Sequence, residues 1–234
     1  MHFSNTRIYR GALLFVLSLL IVPIVEAQTS TISTSEQIVA KVNEYMDAAQ
    51  KVDKFSGTIL IARDGKPIIS KGYGMANYEW DIPNTPQTEF RLGSVTKQFT
   101  SAAIMLLQER GRLSVNDPVC RYFPECPAGW ESMTIRHLLT HTSGIANYTS
   151  FPSWMEKKAT LPITPAELLA EYKVKPLDFA PGEKYSYSNS GYHLLGLIIE
   201  NASGKSYADF LKENIFTPLG LKHTGYDDTR TLVK

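Results

Sequence analysis

Two residues three positions apart, in Ser94-Val95-Thr96-Lys97, are the first candidates for chemistry in this sequence. That spacing places the two side chains on one face of a helix, one turn apart. A serine hydroxyl is a weak nucleophile until a neighbouring base accepts its proton, and a lysine can act as that base. The N-terminus of a helix adds positive potential where an oxyanion would develop. The alternative interpretation is a serine that caps the helix, followed by a solvated lysine.

A second candidate group is Tyr187-Ser188-Asn189. A tyrosine can transfer a proton when a nearby cation stabilises its phenolate, and Lys97 could supply that cation. The side-chain amide of Asn189 could donate a hydrogen bond to a substrate carbonyl. Stretches rich in Tyr, Ser, Asn and Gly are also typical of loops. Taken alone, the motif leaves a catalytic tyrosine and an ordinary loop both open.

The third group is a pair of histidines, His137 and His141, four residues apart on a predicted helix. This spacing suits zinc, but Leu138 stands where a zinc protease of this pattern carries a glutamate, and no third ligand stands out. We therefore predict no metal and favour histidines that pack or cap. The sequence also lacks Gly-x-Ser-x-Gly, which argues against an α/β-hydrolase.

Residues 1–27 have the pattern of a secretory signal peptide. Arg7 and Arg10 precede an apolar stretch over 11–25, and Val25-Glu26-Ala27 offers small residues for a signal peptidase. The stretch is shorter than the roughly 20 residues of a spanning helix. We expect a mature chain that starts at Gln28, secreted or periplasmic, with no stable membrane span. An uncleaved N-terminal membrane anchor is the alternative.

Composition narrows the class of protein further. Hydrophobic residues make up 43% of the chain, and 24 Lys and Arg stand against 23 Asp and Glu. The hydrophobic fraction excludes a disordered or collagen-like chain. The near balance of basic and acidic residues argues against a nucleic-acid partner. In an oxidising compartment, the close pair Cys120 and Cys126 favours a disulfide over a metal site, with two reduced thiols as the alternative. Closing so short a loop would stabilise the fold by about 2 kcal/mol.

The sequence pattern predicts an α+β arrangement. Two β-rich runs over 55–62 and 67–73, joined by Asp64-Gly65, predict a hairpin. Hydrophobic periodicity predicts helices over 35–50, 94–110, 134–140, 164–172, 190–202 and 206–214. Because a hairpin alone is marginally stable, we expect it to need further strands or helix cover.

The order of these features resembles one family. After the hairpin come Phe90-Arg91-Leu92-Gly93-Ser94-Val95-Thr96-Lys97, Leu138-Leu139-Thr140-His141-Thr142-Ser143-Gly144-Ile145, Pro181-Gly182 and Tyr187-Ser188-Asn189. Each motif is common alone, but their order is specific. From about residue 38 to 228, the chain resembles the serine β-lactamase and penicillin-binding-protein superfamily. The nearest branch is that of class C β-lactamases, D-alanyl-D-alanine carboxypeptidases and esterases.

The resemblance implies a β-lactamase/transpeptidase-like fold, an antiparallel sheet with helices plus a helical subdomain, over residues 28–234. It implies a serine acyl-hydrolase in which Ser94 is acylated, Lys97 and Tyr187 exchange its proton, and Asn189 touches substrate. The substrate would be a β-lactam, a D-amino peptide or an ester, and no cofactor is implied. The histidine segment would serve the structure.

One family feature is missing from this sequence. Family members carry a third motif, Lys-Thr-Gly or His-x-Gly, on a strand near the C-terminus, and this chain has no Lys-Thr-Gly. His223-Thr224-Gly225 has the letters, but it follows Pro218-Leu219-Gly220-Leu221, where the family leaves a helix, so we interpret it as a coincidence. We expect a chain without the family's C-terminal strands and with weak turnover. The alternative function is a non-catalytic remnant or binding module.

Overall fold

The computed structural model describes residues 34–52, 55–152, 154, 156 and 160–228. The predicted signal peptide, residues 1–27, lies outside this part of the chain. Contacts divide the chain into two units, Met1–Pro86 and Gln87–Lys234. Within the described residues, no helix is both long enough and apolar enough to cross a membrane.

The first unit is a helix and two small antiparallel ladders. Its elements in chain order are α1 (Ser35–Lys51), β1 (Gly57–Arg63), β2 (Lys66–Tyr73), β3 (Met75–Asn77) and β4 (Ile82–Pro83). Thr34 and Gln37 form a reciprocal capping box that starts α1. The turn between β1 and β2 places Asp64 at φ 51° and Gly65 at φ 72°, the positive values that a type I′ hairpin turn requires. The predicted hairpin is therefore present, in the register Arg63 opposite Lys66.

The β3–β4 ladder was not predicted, because segments of three and two residues carry too little alternation to be recognised. A buried asparagine follows this ladder: the side-chain amide of Asn84 donates to the Ser56 hydroxyl and to the Tyr73 carbonyl, each at 3.0 Å. Gly72 lies against the same backbone, where an added Cβ would stand 2.0 Å from the Asn84 carbonyl oxygen. Glycine is therefore required at that position.

The second unit is helical. Its helices are α2 (Lys97–Glu109), α3 (Ile135–Leu139), α4 (Pro165–Lys173), α5 (Asn189–Ser203) and α6 (Tyr207–Leu211). Helix α5 is central and contacts α2, α3, α4 and α6. Four of its apolar side chains are fully buried: Leu194, Leu195, Ile198 and Ile199. This buried stripe explains why α5 organises the unit, since packing of an apolar face supplies most helix stability. The predicted α+β class is confirmed.

Two helix boundaries differ from the prediction. Ser94 lies in a 3-10 turn, Gly93–Thr96, and the α-helix proper begins at Lys97. The helix predicted to run to residue 214 ends at Leu211 and continues as one π-helical turn, Lys212–Phe216. Both differences involve local hydrogen-bond patterns that hydrophobic periodicity does not distinguish.

Cys120 lies within a second 3-10 turn, Val119–Tyr122, and Cys126 follows that turn. The structure joins Cys120 to Cys126 as a disulfide, with Cα atoms 5.0 Å apart. The carboxylate of Asp117, just before this turn, accepts from the Tyr122 hydroxyl at 2.7 Å and pairs with Arg121 at 3.1 Å. The segment is thus held by a covalent bond and by polar contacts.

Candidate active site

The serine and lysine of the first motif are in direct contact. Gly93, at φ 53°, turns the chain into the 3-10 turn, which leaves Ser94 exposed one turn before Lys97. The Lys97 ammonium donates to the Ser94 Oγ at 3.2 Å. The N-cap residue of this turn is Leu92 and that of α2 is Thr96, so Ser94 is the N-cap of neither. The geometry therefore supports the interpretation of a serine beside a basic side chain over that of an N-cap.

Tyr187 approaches from a segment 93 residues away. Its hydroxyl lies 2.7 Å from the Ser94 Oγ, and either oxygen can be the donor. The Lys97 Nζ stands 4.8 Å from the centre of the Tyr187 ring. Burial alone would raise the pKa of the Tyr187 phenol, but the Ser94 hydroxyl and the Lys97 ammonium stabilise its phenolate, and the net pKa lies below the ordinary value of 10.0.

Asn189 completes the group as the first residue of α5. Its Oδ1 accepts from the Lys97 ammonium at 2.8 Å, and its Nδ2 donates to the Thr149 hydroxyl at 3.0 Å. The backbone N–H of Asn189 donates to the Asn147 Oδ1 at 3.1 Å. The two side-chain contacts determine which way the amide points, since an ammonium can only donate.

Asn147 and Thr149 were missed by the sequence analysis. They belong to the loop that follows α3: Asn147 is the N-cap residue of the 3-10 turn Tyr148–Ser150, and Thr149 lies within that turn. Short polar loop residues of this kind give no periodic signal, so nothing local marks them as neighbours of Asn189.

His141 contacts the tyrosine segment through both its backbone and its ring. Its carbonyl accepts from the Ser186 N–H at 2.8 Å, and its Nδ1 accepts from the Ser188 N–H at 3.2 Å. The imidazole centre lies 4.6 Å from that of the Tyr187 ring. His137 instead accepts from the Thr134 N–H at the start of α3. Among the described residues, no group of three or more His, Cys, Asp and Glu is placed to hold a metal.

His223-Thr224-Gly225 lies in an irregular segment and not on a strand. The ring of His223 contacts the Glu89 carboxylate at 3.2 Å, and Arg91 pairs with Asp227 at 2.7 Å. These residues line a cavity of about 570 Å³. The structure therefore does not give this tripeptide the strand setting of the family's third motif.

The contacts of Ser94 with Lys97 and Tyr187 resemble those expected in the class of serine hydrolases that place a lysine and a tyrosine beside the serine. The comparisons with known proteins narrow this class. The β-lactamase family model matches residues 42–231, and the chain belongs to the β-lactamase family.

Individual relatives agree with that assignment. The putative penicillin-binding protein PbpX of Bacillus subtilis (strain 168) is 34% identical over 206 residues, which cover 87% of this chain and 50% of the relative. A penicillin-binding protein from Bacillus halodurans superposes with a TM-score of 0.71 at 32% identity, covering 80% of this chain and 57% of that one.

A D-amino acid amidase from Ochrobactrum anthropi SV3 superposes with a TM-score of 0.65 at 29% identity, covering 78% of this chain and 53% of the amidase. The chain spans about half the length of the curated relatives it matches. The family assignment and the serine-hydrolase relationship therefore rest on the part of each relative that the chain covers.

Proposed function

We propose that the protein is a serine acyl-hydrolase that works through an acyl-enzyme on Ser94. One observation carries the proposal: the Ser94 Oγ lies within hydrogen-bond distance of both the Tyr187 hydroxyl, at 2.7 Å, and the Lys97 ammonium, at 3.2 Å. A nucleophile in contact with a proton acceptor, which is itself stabilised by a cation, is the arrangement that nucleophilic catalysis needs.

In the proposed reaction, the Tyr187 phenolate accepts the Ser94 proton as Oγ bonds to the substrate carbonyl carbon. The Lys97 ammonium stabilises the phenolate. When the tetrahedral intermediate collapses, the bond to the leaving group breaks and Tyr187 returns the proton to that group. Water then hydrolyses the ester on Ser94 by the same transfer in reverse. No cofactor enters any step.

Substrate contacts come from two further groups. Thr149 takes one N–H of the Asn189 side chain, and we propose that the other N–H donates to a substrate carbonyl. The Ser94 backbone N–H is the proposed first oxyanion donor. The substrate is proposed to be a β-lactam, a D-amino peptide or an ester. The names of the relatives, which include penicillin-binding proteins and a D-amino acid amidase, support this range.

We further propose that the protein is secreted or periplasmic. The basic residues and apolar stretch within 1–27 support this location. N-terminal mass spectrometry of the protein exported by its host is expected to give Gln28 as the first residue. An exported chain that retains residues 1–27 would indicate a membrane anchor instead.

The deciding experiment measures acylation. The purified chain is incubated with a fluorophosphonate probe, nitrocefin or a p-nitrophenyl ester, and its intact mass is recorded. We expect one covalent adduct, mapped to Ser94 by peptide sequencing and absent from Ser94→Ala. Ser70→Ala removes an exposed serine on β2 and is expected to label like the wild type. Equal labelling of Ser94→Ala, or no adduct on the folded wild type, would overturn the proposal.

A non-catalytic binding module is the competing function. The feature in its favour is the absence of Lys-Thr-Gly together with the irregular setting of His223-Thr224-Gly225. Such a module would bind a β-lactam or D-amino peptide reversibly, so the ligand would leave on dialysis and no adduct would appear in the mass spectrum.

A further inference from the structure

His141 brackets Tyr187 along the backbone. Its carbonyl holds the N–H of the residue before the tyrosine, Ser186, and its Nδ1 holds the N–H of the residue after it, Ser188. His141 adopts φ 57°, the left-handed region that residues other than glycine enter at a cost. This backbone conformation lets one residue present both its carbonyl and its ring to the same segment.

The imidazole also packs against three aromatic rings. The centres of the Tyr187 and Tyr192 rings lie 4.6 Å and 5.0 Å from that of the imidazole, with interplanar angles of 34° and 33°. Tyr185 meets it edge-on at 5.9 Å. The contact between the imidazole and the Tyr187 ring limits the positions that the Tyr187 phenol can occupy.

We propose that His141 is a positioning residue for Tyr187, and that only its neutral ring holds the tyrosine segment in the geometry that brings the phenol to Ser94. The proposal rests on the proposed function for its effect on catalysis. His141 touches neither Ser94 nor substrate in this scheme, so it acts through Tyr187.

The chemistry of the hydrogen bond makes the protonation state decisive. Because the His141 Nδ1 accepts from the Ser188 N–H, the neutral ring carries its proton on Nε2. Protonation would place a second proton on Nδ1, where it would face the Ser188 N–H. The bond would be lost and replaced by repulsion between two donors.

The surroundings also disfavour the imidazolium. The charged and titratable groups around the ring are Lys97 from α2, Tyr185 and Tyr187 from the preceding segment, and Tyr192 from α5. Burial first, and then the Lys97 ammonium, lower the pKa of His141 below its ordinary value of 6.5. The neutral ring is therefore the form present at neutral pH, and the tyrosine segment is released only in acid.

The consequence is an acidic limb in the pH profile of Ser94 acylation. Well below the His141 midpoint, the rate should fall about tenfold per pH unit from this residue, as for any single essential deprotonated group. His141→Asn separates this effect from simple support of the fold. Asparagine tolerates the left-handed conformation and offers an oxygen acceptor to Ser188, but it does not titrate.

The experiment records the acylation rate from pH 4 to 8 for the wild type, His141→Asn, His141→Ala and the control His137→Asn. We expect His141→Asn to keep the rate at pH 7.5 within about fivefold and to shift or flatten the acidic limb. His141→Ala, without an acceptor, should be slower at every pH, and His137→Asn should match the wild type. An unchanged limb in His141→Asn would overturn the proposal, whether or not His141→Ala folds.

A second measurement does not depend on catalysis. In the wild type, the His141 ring resonances and the Ser188 amide resonance are followed by NMR as the pH falls, with His141→Asn used for assignment. We expect both to titrate with one midpoint below pH 6.5. If the Ser188 amide resonance does not shift as His141 titrates, the proposed hydrogen bond that positions the tyrosine segment is refuted. If the two resonances titrate together but Ser94 is not acylated, the proposed function is refuted, and the positioning of the tyrosine segment by His141 stands.

Discussion

The Ser94 hydroxyl is the meeting point of side chains from two distant parts of the second unit. Lys97 reaches it from the next turn of the same helical segment, and Tyr187 reaches it from the segment that leads into α5. Asn189 then ties the lysine to α5 through its Oδ1. The Lys97 ammonium thus contacts Ser94, Tyr187 and Asn189, so a change at any of them alters the charge balance around the serine.

The first prediction concerns the phenol of Tyr187. Tyr187→Phe removes the proton acceptor but keeps the ring that packs against His141, so the fold should persist. We expect the Ser94 acylation rate to fall by about 10²- to 10⁴-fold, the usual contribution of general acid–base catalysis. Tyr185→Phe is the matched control, because the Tyr185 side chain is exposed, and it should acylate at the wild-type rate. Comparable rates for the two variants would contradict the role of Tyr187.

At the scale of elements, α5 connects the site to the core. Its N-terminal residue, Asn189, contacts Lys97, while its middle is fully buried against neighbouring helices. The loop after α3 is fastened to the segment before α5, since the Asp178 N–H donates to the Gly144 carbonyl at 2.8 Å. The positions of Asn147 and Thr149 depend on this fastening.

The second prediction tests how closely the loop after α3 approaches the segment before α5. It compares two glycines that both have positive φ. An added Cβ at Gly144, φ 75°, would stand 2.1 Å from the Phe179 carbonyl oxygen, whereas nothing lies within 4 Å at Gly111, φ 66°. Gly111→Ala should lower the free energy of unfolding by about 1–2 kcal/mol, the cost of the left-handed conformation. Gly144→Ala should cost about 1–3 kcal/mol more because of the clash. Urea unfolding of both variants is the measurement, and equal losses would show that the approach is not tight.

The third prediction concerns His193, which lies on α5 and contacts Tyr172 of α4. Its Nδ1 lies 2.8 Å from the Tyr172 hydroxyl, and its Nε2 is buried without a hydrogen-bond partner among the described residues. Burial lowers the pKa of His193 to about 4. The unfolded chain therefore binds this proton near pH 6.5 and the folded chain only near pH 4, so stability falls as the pH drops between these values.

We expect this contribution to be complete above pH 6.5 and to lose about 3 kcal/mol by pH 4. His193→Gln removes the titrating group, so its free energy of unfolding should vary less over that window than that of the wild type. Chemical denaturation at half-unit pH steps gives both curves. Parallel curves would show that His193 is not the group responsible.

At the scale of the whole molecule, two facts bear on turnover: the chain belongs to the β-lactamase family, and it matches only part of the length of its relatives. The chain carries the Ser-x-x-Lys and Tyr-x-Asn motifs in contact, and it spans about half the length of its curated relatives. Within the described residues, each sheet has two strands. The described residues therefore include the proposed acylating groups, and neither of the two sheets among them carries a Lys-Thr-Gly or His-x-Gly motif.

The fourth prediction concerns a polypeptide made of the given residues alone, whose described sheets do not supply the proposed second oxyanion donor. The purified chain should show a Ser94-dependent burst with nitrocefin or an ester, followed by slow steady-state turnover. Loss of one oxyanion donor costs about 10²- to 10³-fold in comparable enzymes. Burst and steady-state rates are measured beside Ser94→Ala. Brisk turnover that depends on Ser94 would show that the second donor is present, and His223, Thr224 and Gly225 would be the first residues to test.

The sequence by itself determined most of the elements and the residues of the candidate site. The hairpin turn and the helices follow from patterns within a few residues, such as Asp64-Gly65 and the apolar period of α5. Ser94 and Lys97 meet because they are one turn apart, so their contact is also local. Tyr187 and Asn189 were identified from the order of the motifs, although the local sequence does not show which residues they contact.

Only the tertiary structure decided the contacts across long separations. The approach of Tyr187 to Ser94 and the Asn189 contact with Thr149 span 93 and 40 residues. The contact of His141 with Tyr187 is of the same kind, and the sequence analysis predicted only a histidine that packs or caps. These contacts depend on how α2, α5 and the loop after α3 pack together. That packing is set by the joint burial of side chains from all three, which no pattern within one segment contains.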